Sequence, residues 1–375
     1  MILHVNRKEM LSIAQKVSKA SVSSSCPIEV LKGILLEADK DTGFVTLTAT
    51  NFEASIRASL PAVIEESGSA VIDSKLFLGM FSLLNSEIVT VSEEKPFVLK
   101  VAGGKAIYTI KVLDSKGYPK PEIPFPEDTV CVSGVKSIAK CISFTQKEGQ
   151  NVAMQCVRLS LRSDGLYAEA CDGSRLINIS GDKECIGQME ILMPASCLRL
   201  LSAISNNTAI YQMGITNNTV VFWDGTLLFS SKLIRGSFLN SDMILSKFEA
   251  KYNIKVDSTE LYNAVAPLVS LLDEQDPLAI KILENGISLF SVSQKQNSQV
   301  YVNAVTDTIP ENPFYYNNRK LYETLRQFKG TVQIGFSSKS EMLVQSNSIR
   351  CYLLGMHVPA TMKRDDKINP KKKAA

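Results

Sequence analysis

Apolar and polar residues alternate with a period of two in three separate parts of the chain, at residues 33–58, 157–180 and 279–304. In the second part, Val157, Leu159 and Leu161 alternate with polar neighbours. Each part is interrupted by a Gly with an Asp or Asn nearby, which is the chemistry of short turns between antiparallel strands. The pattern therefore predicts paired antiparallel strands in each of the three parts.

Each set of paired strands is flanked by two helical patterns. The patterns that precede the strands lie at residues 7–21, 134–144 and 258–272, and those that follow begin at Asp73, Pro194 and Asn317. Polar or proline start residues stand before apolar residues at helical spacing in the second group. Those second helices recur about every 120 residues, which is far longer than a solenoid repeat. The sequence predicts an α+β fold in which a domain of two helices packed on antiparallel sheet occurs three times.

The boundaries of these domains are placed where the pattern breaks. Residues 116–128 are rich in proline and should be extended, and residues 245–257 form a weaker boundary. The predicted domains are residues 1–125, 126–250 and 251–360. Residues 361–375 are polar and lysine-rich, which is typical of a disordered basic tail.

Charge is unevenly distributed along the chain. The formal net charge is +3, but the last fourteen residues hold six basic and two acidic side chains, so the rest of the chain carries −1. At 375 residues with 45% apolar and 21% charged residues, the composition is that of a soluble globular protein. Any affinity of the body for nucleic acid must therefore come from a local basic face.

Little in the sequence points to catalysis, a metal or a cofactor. The eight cysteines form no CxxC pair and there are only two histidines. An enzyme would need Cys171 as nucleophile with Asp172 and His357 as helpers, and no motif supports that arrangement. No glycine loop of the Walker type and no membrane-spanning stretch are present. We predict a cytoplasmic protein that is not an enzyme and binds neither cofactor nor metal.

Four local sequences carry a family resemblance. CDGSRL at residues 171–176 is similar to a T-D-x-H-R-L signature, and SSKLIRGSF from Ser230 to S-[RK]-L-I-x-G-x-[FY]. FYYNNRKLYETL from Phe314 is similar to F-N-x-[RK]-Y-L-x-D-x-L, and VLKGILLEA from Val30 to an L-x-G-[IV] strand entry. In this order on a triple repeat, they resemble the bacterial DNA sliding clamp, the processivity (beta) subunit of the DNA polymerase III holoenzyme, over about residues 1–358.

The chain departs from the family pattern at three places. Ser174 stands where the family usually has His, and Leu239 where it often has Pro. The closing M-P-[MV]-R of the family is not found at residues 352–358. The resemblance is therefore to a divergent member.

The resemblance implies a head-to-tail homodimer that closes a ring of six similar domains around duplex DNA. Such a ring needs only weak, sequence-independent phosphate contacts and can slide. It would give processivity to the replicative polymerase by tethering that enzyme, the clamp loader and other replication or repair proteins at the nucleoid. The candidate DNA contacts on the inner helices are Lys16, Lys19, Lys136, Lys140 and Arg199; Lys136 and Lys140, four residues apart, are expected to share a helix face.

By family position, partner peptides would bind an apolar pocket between the second and third domains. Its expected residues are Met154, Cys171, Gly173, Ser174, Arg175, Leu176, Leu239, Ile244, Leu353, Leu354 and Met356. The expected dimer seam comprises Lys75, Leu76, Leu83, Tyr108 and Ile110 of one copy with Leu271 and Leu272 of the other.

A second function remains open, in which the chain is a clamp-fold scaffold that binds peptides but no longer encircles DNA. Ser25 stands where the family often has an Arg, and residues 294–299, near an often acidic seam strand, are uncharged except for Lys295. Size in solution separates the two, since a scaffold can be monomeric and a clamp must close.

Overall fold

The computed structural model describes residues 1–23, 25–181, 187–293 and 298–358. In these ranges the α-helices are α1 (Arg7–Val17), α2 (Ser74–Leu83), α3 (Val135–Ile138), α4 (Ala195–Ile204), α5 (Ser241–Ser246), α6 (Ser258–Ser270) and α7 (Asn318–Leu325). None of them is long and apolar enough to cross a bilayer.

The strands run antiparallel to their neighbours in the ladders given below. The first half of the chain contains β1 (Ile2–Asn6), β2 (Gly33–Asp39), β3 (Phe44–Thr50), β4 (Ala54–Pro61), β5 (Val63–Glu66), β6 (Gly68–Asp73), β7 (Ile88–Lys95), β8 (Val98–Gly103), β9 (Ala106–Lys111), β10 (Val130–Val132), β11 (Cys156–Arg162), β12 (Gly165–Cys171) and β13 (Arg175–Ser180). The second half contains β14 (Met189–Pro194), β15 (Tyr211–Thr216), β16 (Thr219–Trp223), β17 (Leu227–Lys232), β18 (Tyr252–Asp257), β19 (Pro277–Leu283), β20 (Gly286–Ser291), β21 (Gln299–Asn303), β22 (Val305–Thr306), β23 (Phe314–Asn317), β24 (Thr331–Phe336), β25 (Met342–Gln345) and β26 (Ile349–Leu353).

The chain divides into two compact units. Unit 1 comprises Met1–Ile142, Cys156–Tyr167 and Gly181–Gly236. Its sheets have the strand orders β5-β1-β7-β8-β9 and β10-β15-β16-β17-β4-β3-β2-β6, and β11 pairs with β14. Unit 2 comprises Ser143–Gln155, Ala168–Ser180 and Ser237–Ala375. It contains the ladder β13-β26-β25-β24-β18-β22 and the sheet β21-β20-β19-β23.

Several of the helices begin where the sequence places a capping residue. The side-chain oxygens of Asn6, Asp73, Asp257 and Asn317 accept backbone N–H groups at the starts of α1, α2, α6 and α7. Each cap satisfies donors that have no partner inside the helix. In α1 the buried side chains recur at helical spacing, as Met10, Ala14 and Val17, so one face packs inward. The α+β fold expected from the pattern is confirmed.

Strand pairing joins successive repeats in the same way within each unit. In unit 1 the last strand of repeat two, β17, pairs with β4 of repeat one, and Leu228 lies opposite Arg57. In unit 2 the last strand of repeat three, β26, pairs with β13 of repeat two, and Arg350 lies opposite Asn178. A repeat therefore donates an edge strand to the sheet of the repeat before it. The division into domains at residues 1–125, 126–250 and 251–360 stays a prediction.

Candidate partner-binding site

The site predicted from the family signature is built on a tight turn between β12 and β13 in unit 2. Asp172 Oδ1 accepts the backbone N–H groups of Ser174 at 2.9 Å and Arg175 at 3.1 Å, and the Ser174 hydroxyl at 2.8 Å. Gly173 lies between them with a φ of 93°, a conformation that costs glycine little. One aspartate thus fixes the backbone of the turn, and this is the reason for the D-G sequence.

Arg175 is buried beneath this turn, and nearly all of its guanidinium N–H groups are hydrogen-bonded to residues of its own unit. Its Nε donates to Asp172 Oδ2 at 2.9 Å, Nη1 to the Lys320 carbonyl at 3.1 Å, and Nη2 to the Ser143 carbonyl and to Glu323 Oε2, both at 2.6 Å. The guanidinium also lies over the Phe144 ring, 4.5 Å from its centroid. Arg175 therefore holds residues 143–144, β13 and α7 together, and only one of its five N–H groups is left for a peptide.

Lys320 completes the polar part of the site and was missed by the sequence analysis. Its Nζ donates to Ser174 Oγ at 2.6 Å and lies 3.4 Å from Asp172 Oδ2. Ser174, which replaces the family histidine, thus links Asp172 to Lys320. Lys320 is the third residue of α7, and the Asn317 cap that fixes this helix start was the signal available in the sequence.

The Asp172 carboxyl is held ionised by these neighbours. Burial acts to raise its pKa, but the Ser174 N–H and hydroxyl, the Arg175 guanidinium and the Lys320 ammonium outweigh burial and lower the pKa below its ordinary value. Cys171, one residue earlier, is different. Burial raises the pKa of its thiol, so it is protonated at neutral pH, which is not the state that a nucleophile needs.

The apolar residues of the predicted pocket fall into two groups. Cys171, Leu176 and Leu353 are buried, and the last two belong to the β13–β26 ladder. Leu354 is 44% exposed, and its N–H donates to the Ser174 carbonyl at 2.9 Å. Met356 is half-buried against a small apolar cluster. Leu354 and Met356 can therefore meet a peptide directly, whereas the buried three support the surface from below.

The loop around Met154 is tied to the same turn. Gln146 donates its backbone N–H to the Met154 carbonyl at 2.8 Å and its side-chain amide to the Asp172 carbonyl at 3.0 Å. Leu239 and Ile244 are half-buried and flank Ser241, whose hydroxyl donates to the buried Glu169 carboxylate. Gln146 links Met154 to the turn, while the part played by Leu239 and Ile244 stays a prediction.

The candidate DNA contacts lie on or beside helices. Lys19, Lys136 and Arg199 are exposed, and Lys16 and Lys140 are half-buried. Lys136 and Lys140 do not lie on one α-helical face, contrary to the prediction from their spacing, because α3 ends at Ile138 and the chain continues as a 3₁₀ helix over Ala139–Phe144. With three residues per turn in that segment, positions four apart are not aligned. Their contact with DNA stays a prediction.

The candidate seam residues differ in exposure. Leu83 is 72%, Leu271 60% and Leu76 42% exposed, and Lys75 is also exposed, while Tyr108 is half-buried. Ile110 and Leu272 are buried, so they support the surface rather than form it. Ile107, which the sequence analysis missed, is 60% exposed on the edge strand β9. Residues 294–297 of the expected seam strand and the basic tail at 361–375 lie outside the described residues.

No group of three or more His, Cys, Asp or Glu side chains that could hold a metal ion occurs in the part of the chain that the structure describes. Of the cysteines in that part, Cys131 is exposed, Cys26 is half-buried and the others are buried.

Known proteins share both the sequence pattern and the fold. Residues 1–123 match the family model described as the N-terminal domain of the DNA polymerase III beta subunit. A beta sliding clamp from Synechococcus elongatus is 23% identical over 358 residues, which cover 91% of this chain and 94% of that protein. Beta sliding clamps from Staphylococcus aureus are 23% identical over 260 residues, 65% of this chain and 68% of those proteins.

Solved structures match almost the whole chain. The DNA polymerase sliding clamp of Bacillus subtilis has a TM-score of 0.87 at 20% identity, covering 96% of this chain and 100% of that one. The DNA polymerase III beta subunit of Pseudomonas aeruginosa has a TM-score of 0.86 at 16% identity with the same coverage. The fold is thus that of the DNA sliding clamps. Residues 1–123 match the beta-subunit domain, and nearly the whole chain is similar to bacterial beta sliding clamps at 20–23% identity.

Proposed function

We propose that two copies of this chain close head to tail into a ring that encircles duplex DNA and tethers the replicative polymerase and other replication or repair proteins to it. In this role the chain is not an enzyme, because the ring acts by topology and by docking. The family match supports the role, and the way in which repeats are joined supports the closure.

The observation that carries the closure is the repeated strand junction. β17 pairs with β4, and β26 with β13, in equivalent register. The equivalent strands of the outer repeats are β9 in repeat one and β21 in repeat three. Each is the last strand of its sheet among the described residues. Two copies can satisfy both free edges at once if β9 of each pairs with β21 of the other, which is a heterologous contact that closes.

The charge distribution suits this mechanism. A body with a charge of −1 cannot hold DNA by general attraction, whereas a closed ring needs only weak phosphate contacts. We propose that Lys16, Lys19 and Arg199, with Lys136 and Lys140, supply such contacts from the helices.

The first expected result is topological. After a bacterial clamp loader and ATP have placed the protein on a nicked circular plasmid, it should co-elute with the DNA in gel filtration at moderate salt. Cutting the plasmid once should release it, because a ring slides off a free end. Equal retention on circular and linear DNA would show ordinary binding. A dimer that is never retained on either would favour the scaffold function.

We further propose that the surface formed by Met154, Leu354 and Met356 around the Asp172 turn docks short peptides with apolar anchors. A fully buried Leu or Phe anchor contributes about 1.5–3 kcal/mol. Leu354→Asp should weaken binding of a short synthetic peptide with adjacent Leu and Phe side chains by about tenfold or more, because an unpaired carboxylate enters the contact.

The measurement is fluorescence anisotropy of the labelled peptide, with sedimentation as a check on dimerisation. Ile309→Asp is the matched control, since Ile309 is 48% exposed in the same unit but is not a predicted pocket residue. Normal peptide binding by a folded Leu354→Asp variant would refute this placement of the docking surface.

A further inference from the structure

Two tyrosines form a stacked pair across the helices of repeat three. Tyr262 on α6 and Tyr322 on α7 have ring centroids 4.7 Å apart and planes inclined by 19°. Their hydroxyls are hydrogen-bonded to each other, and both side chains are half-buried. This half-buried aromatic pair covers part of the surface of two helices that we propose face DNA.

The register of the repeats shows which candidate DNA contacts are absent from repeat three. Aligning α6 with α1 at their caps, Asp257 and Asn6, places Pro267 at the position of Lys16 and Ser270 at that of Lys19. Aligning α7 with α4 at their first residues, Asn318 and Ala195, places Tyr322 at the position of Arg199. Repeat three therefore has no cation at any of these three equivalent DNA-contact positions.

Few cations in this helix pair are available for a ligand. α6 contains none, and on α7 Arg319 is paired with Glu274 while Lys320 is held by Ser174 and Asp172. Arg326, the residue that ends α7, is exposed, and its charge acts to lower the pKa of Tyr322.

The acidic residues on these two helices are Glu260, which lies in the first turn of α6, and Glu323, which is held by Arg175. In the described residues Arg326 has no ion-pair partner, so it is the cation on this surface that is free to meet an anion.

The hydroxyl pair has the chemistry of a neutral phosphate contact. In a pair of hydrogen-bonded hydroxyls one proton is shared between the oxygens, and the other can be donated outward. The hydrogen bond with Tyr262 raises the pKa of Tyr322, so the Tyr322 hydroxyl keeps its proton at neutral pH. Tyrosine hydroxyls are among the groups that contact DNA phosphates without reading sequence.

We propose that Tyr262 and Tyr322, together with Arg326, form the DNA backbone contact of repeat three, in which hydroxyl donors replace the lysines and arginine of the other repeats. This inference rests on the proposed clamp function. It makes the inner surface chemically uneven, because one repeat of each chain grips phosphate mainly through neutral donors.

Salt dependence separates this contact from a cationic one. Only a cation releases condensed counterions, so the logarithm of the binding constant falls with log salt in proportion to the number of cationic contacts. Tyr262→Phe with Tyr322→Phe should therefore weaken binding about three- to tenfold while leaving the salt slope unchanged. Arg326→Gln should weaken binding and reduce the slope by about one, as should Lys16→Gln, the control in repeat one.

The measurement is anisotropy of a short fluorescent duplex over a range of salt concentrations. Tyr262→Ala with Tyr322→Ala gives the second arm, since Phe keeps the aromatic faces and Ala removes them. Unchanged binding in the Phe variant would overturn the proposal, and weak binding in the Ala variant alone would assign the pair to base stacking. The single Tyr322→Phe variant provides the same test if the double variant does not fold. Failure of the clamp function itself is distinct, since the wild-type protein would then not be retained on circular DNA.

Discussion

Arg175→Ala is expected to lower the free energy of unfolding by about 3–5 kcal/mol, because it leaves the partners of a buried charge without their counterion. Arg175 is only 5% exposed and joins Asp172, Ser143, Lys320 and Glu323. Urea unfolding followed by circular dichroism measures the change. Peptide binding should fall as well, since the turn loses its support and its Ser174 carbonyl accepts the backbone N–H of Leu354.

Arg319→Ala is the matched control for this prediction. Arg319 is also paired with a carboxylate, Glu274, but both side chains are more than half exposed. Removing such a surface pair should change stability by less than about 1 kcal/mol. Equal stability of the two variants would show that Arg175 does not hold the site together. Arg175→Lys should recover only part of the loss, because lysine keeps the charge and lacks the planar fork.

The second large effect is disulfide cross-linking, which we expect at the seam between copies. Leu228 of β17 lies opposite Arg57 of β4, and Arg350 of β26 opposite Asn178 of β13. Ile107 holds the equivalent position in β9. In β21 the position equivalent to Arg57 is Gln299. Gln299 lies opposite Phe290, which lies opposite Ala279. In the same way, Arg57 lies opposite Thr48, which lies opposite Leu35. The transferred register places Ile107 of one copy opposite Gln299 of the other.

The variant that carries Ile107→Cys and Gln299→Cys should therefore form disulfides between copies under mild oxidation. Facing residues of antiparallel strands have Cα separations of about 4.5–5.5 Å, which a disulfide can span. Non-reducing electrophoresis should show most of the chain as a covalent dimer, and the single variants should remain monomeric under the same denaturing conditions. A Thr109→Cys, Gln299→Cys variant is the register control. Equal cross-linking in that control, or none in either, would contradict the proposed seam.

Local patterns in the sequence were sufficient to predict the fold. Period-two alternation predicted the strands, and the start residues Asp73, Pro194 and Asn317 predicted the starts of α2, α4 and α7. The second repeat was less predictable, because its first helix tightens to 3₁₀ after Ile138. Tertiary packing decides that change, and nothing in the spacing of Lys136 and Lys140 reveals it.

The site was predictable in position and less so in the roles of its residues. The signature at residues 171–176 identified the turn, but the burial of Arg175 depends on Ser143 and Lys320, which are distant in sequence. Likewise, alternation cannot tell whether Ile107 or Ile110 faces outward at a sheet edge, since that depends on which side the core lies. Long-range contacts of this kind are set by the whole fold.

The strand junction has a further consequence for how a closed ring would open. Both junctions seen within the chain join segments of one polypeptide, so strands that separate there stay tethered at a high effective concentration and pair again at once. The junction between β9 and β21 has similar geometry but no covalent tether: when one seam opens only the other seam holds the copies together, and after both have opened re-formation depends on the concentration of free copies. The three kinds of junction therefore share one strand geometry, but the two within the chain would stay closed far longer than the one between copies. The proposed ring would part between subunits long before any repeat came loose from its neighbour.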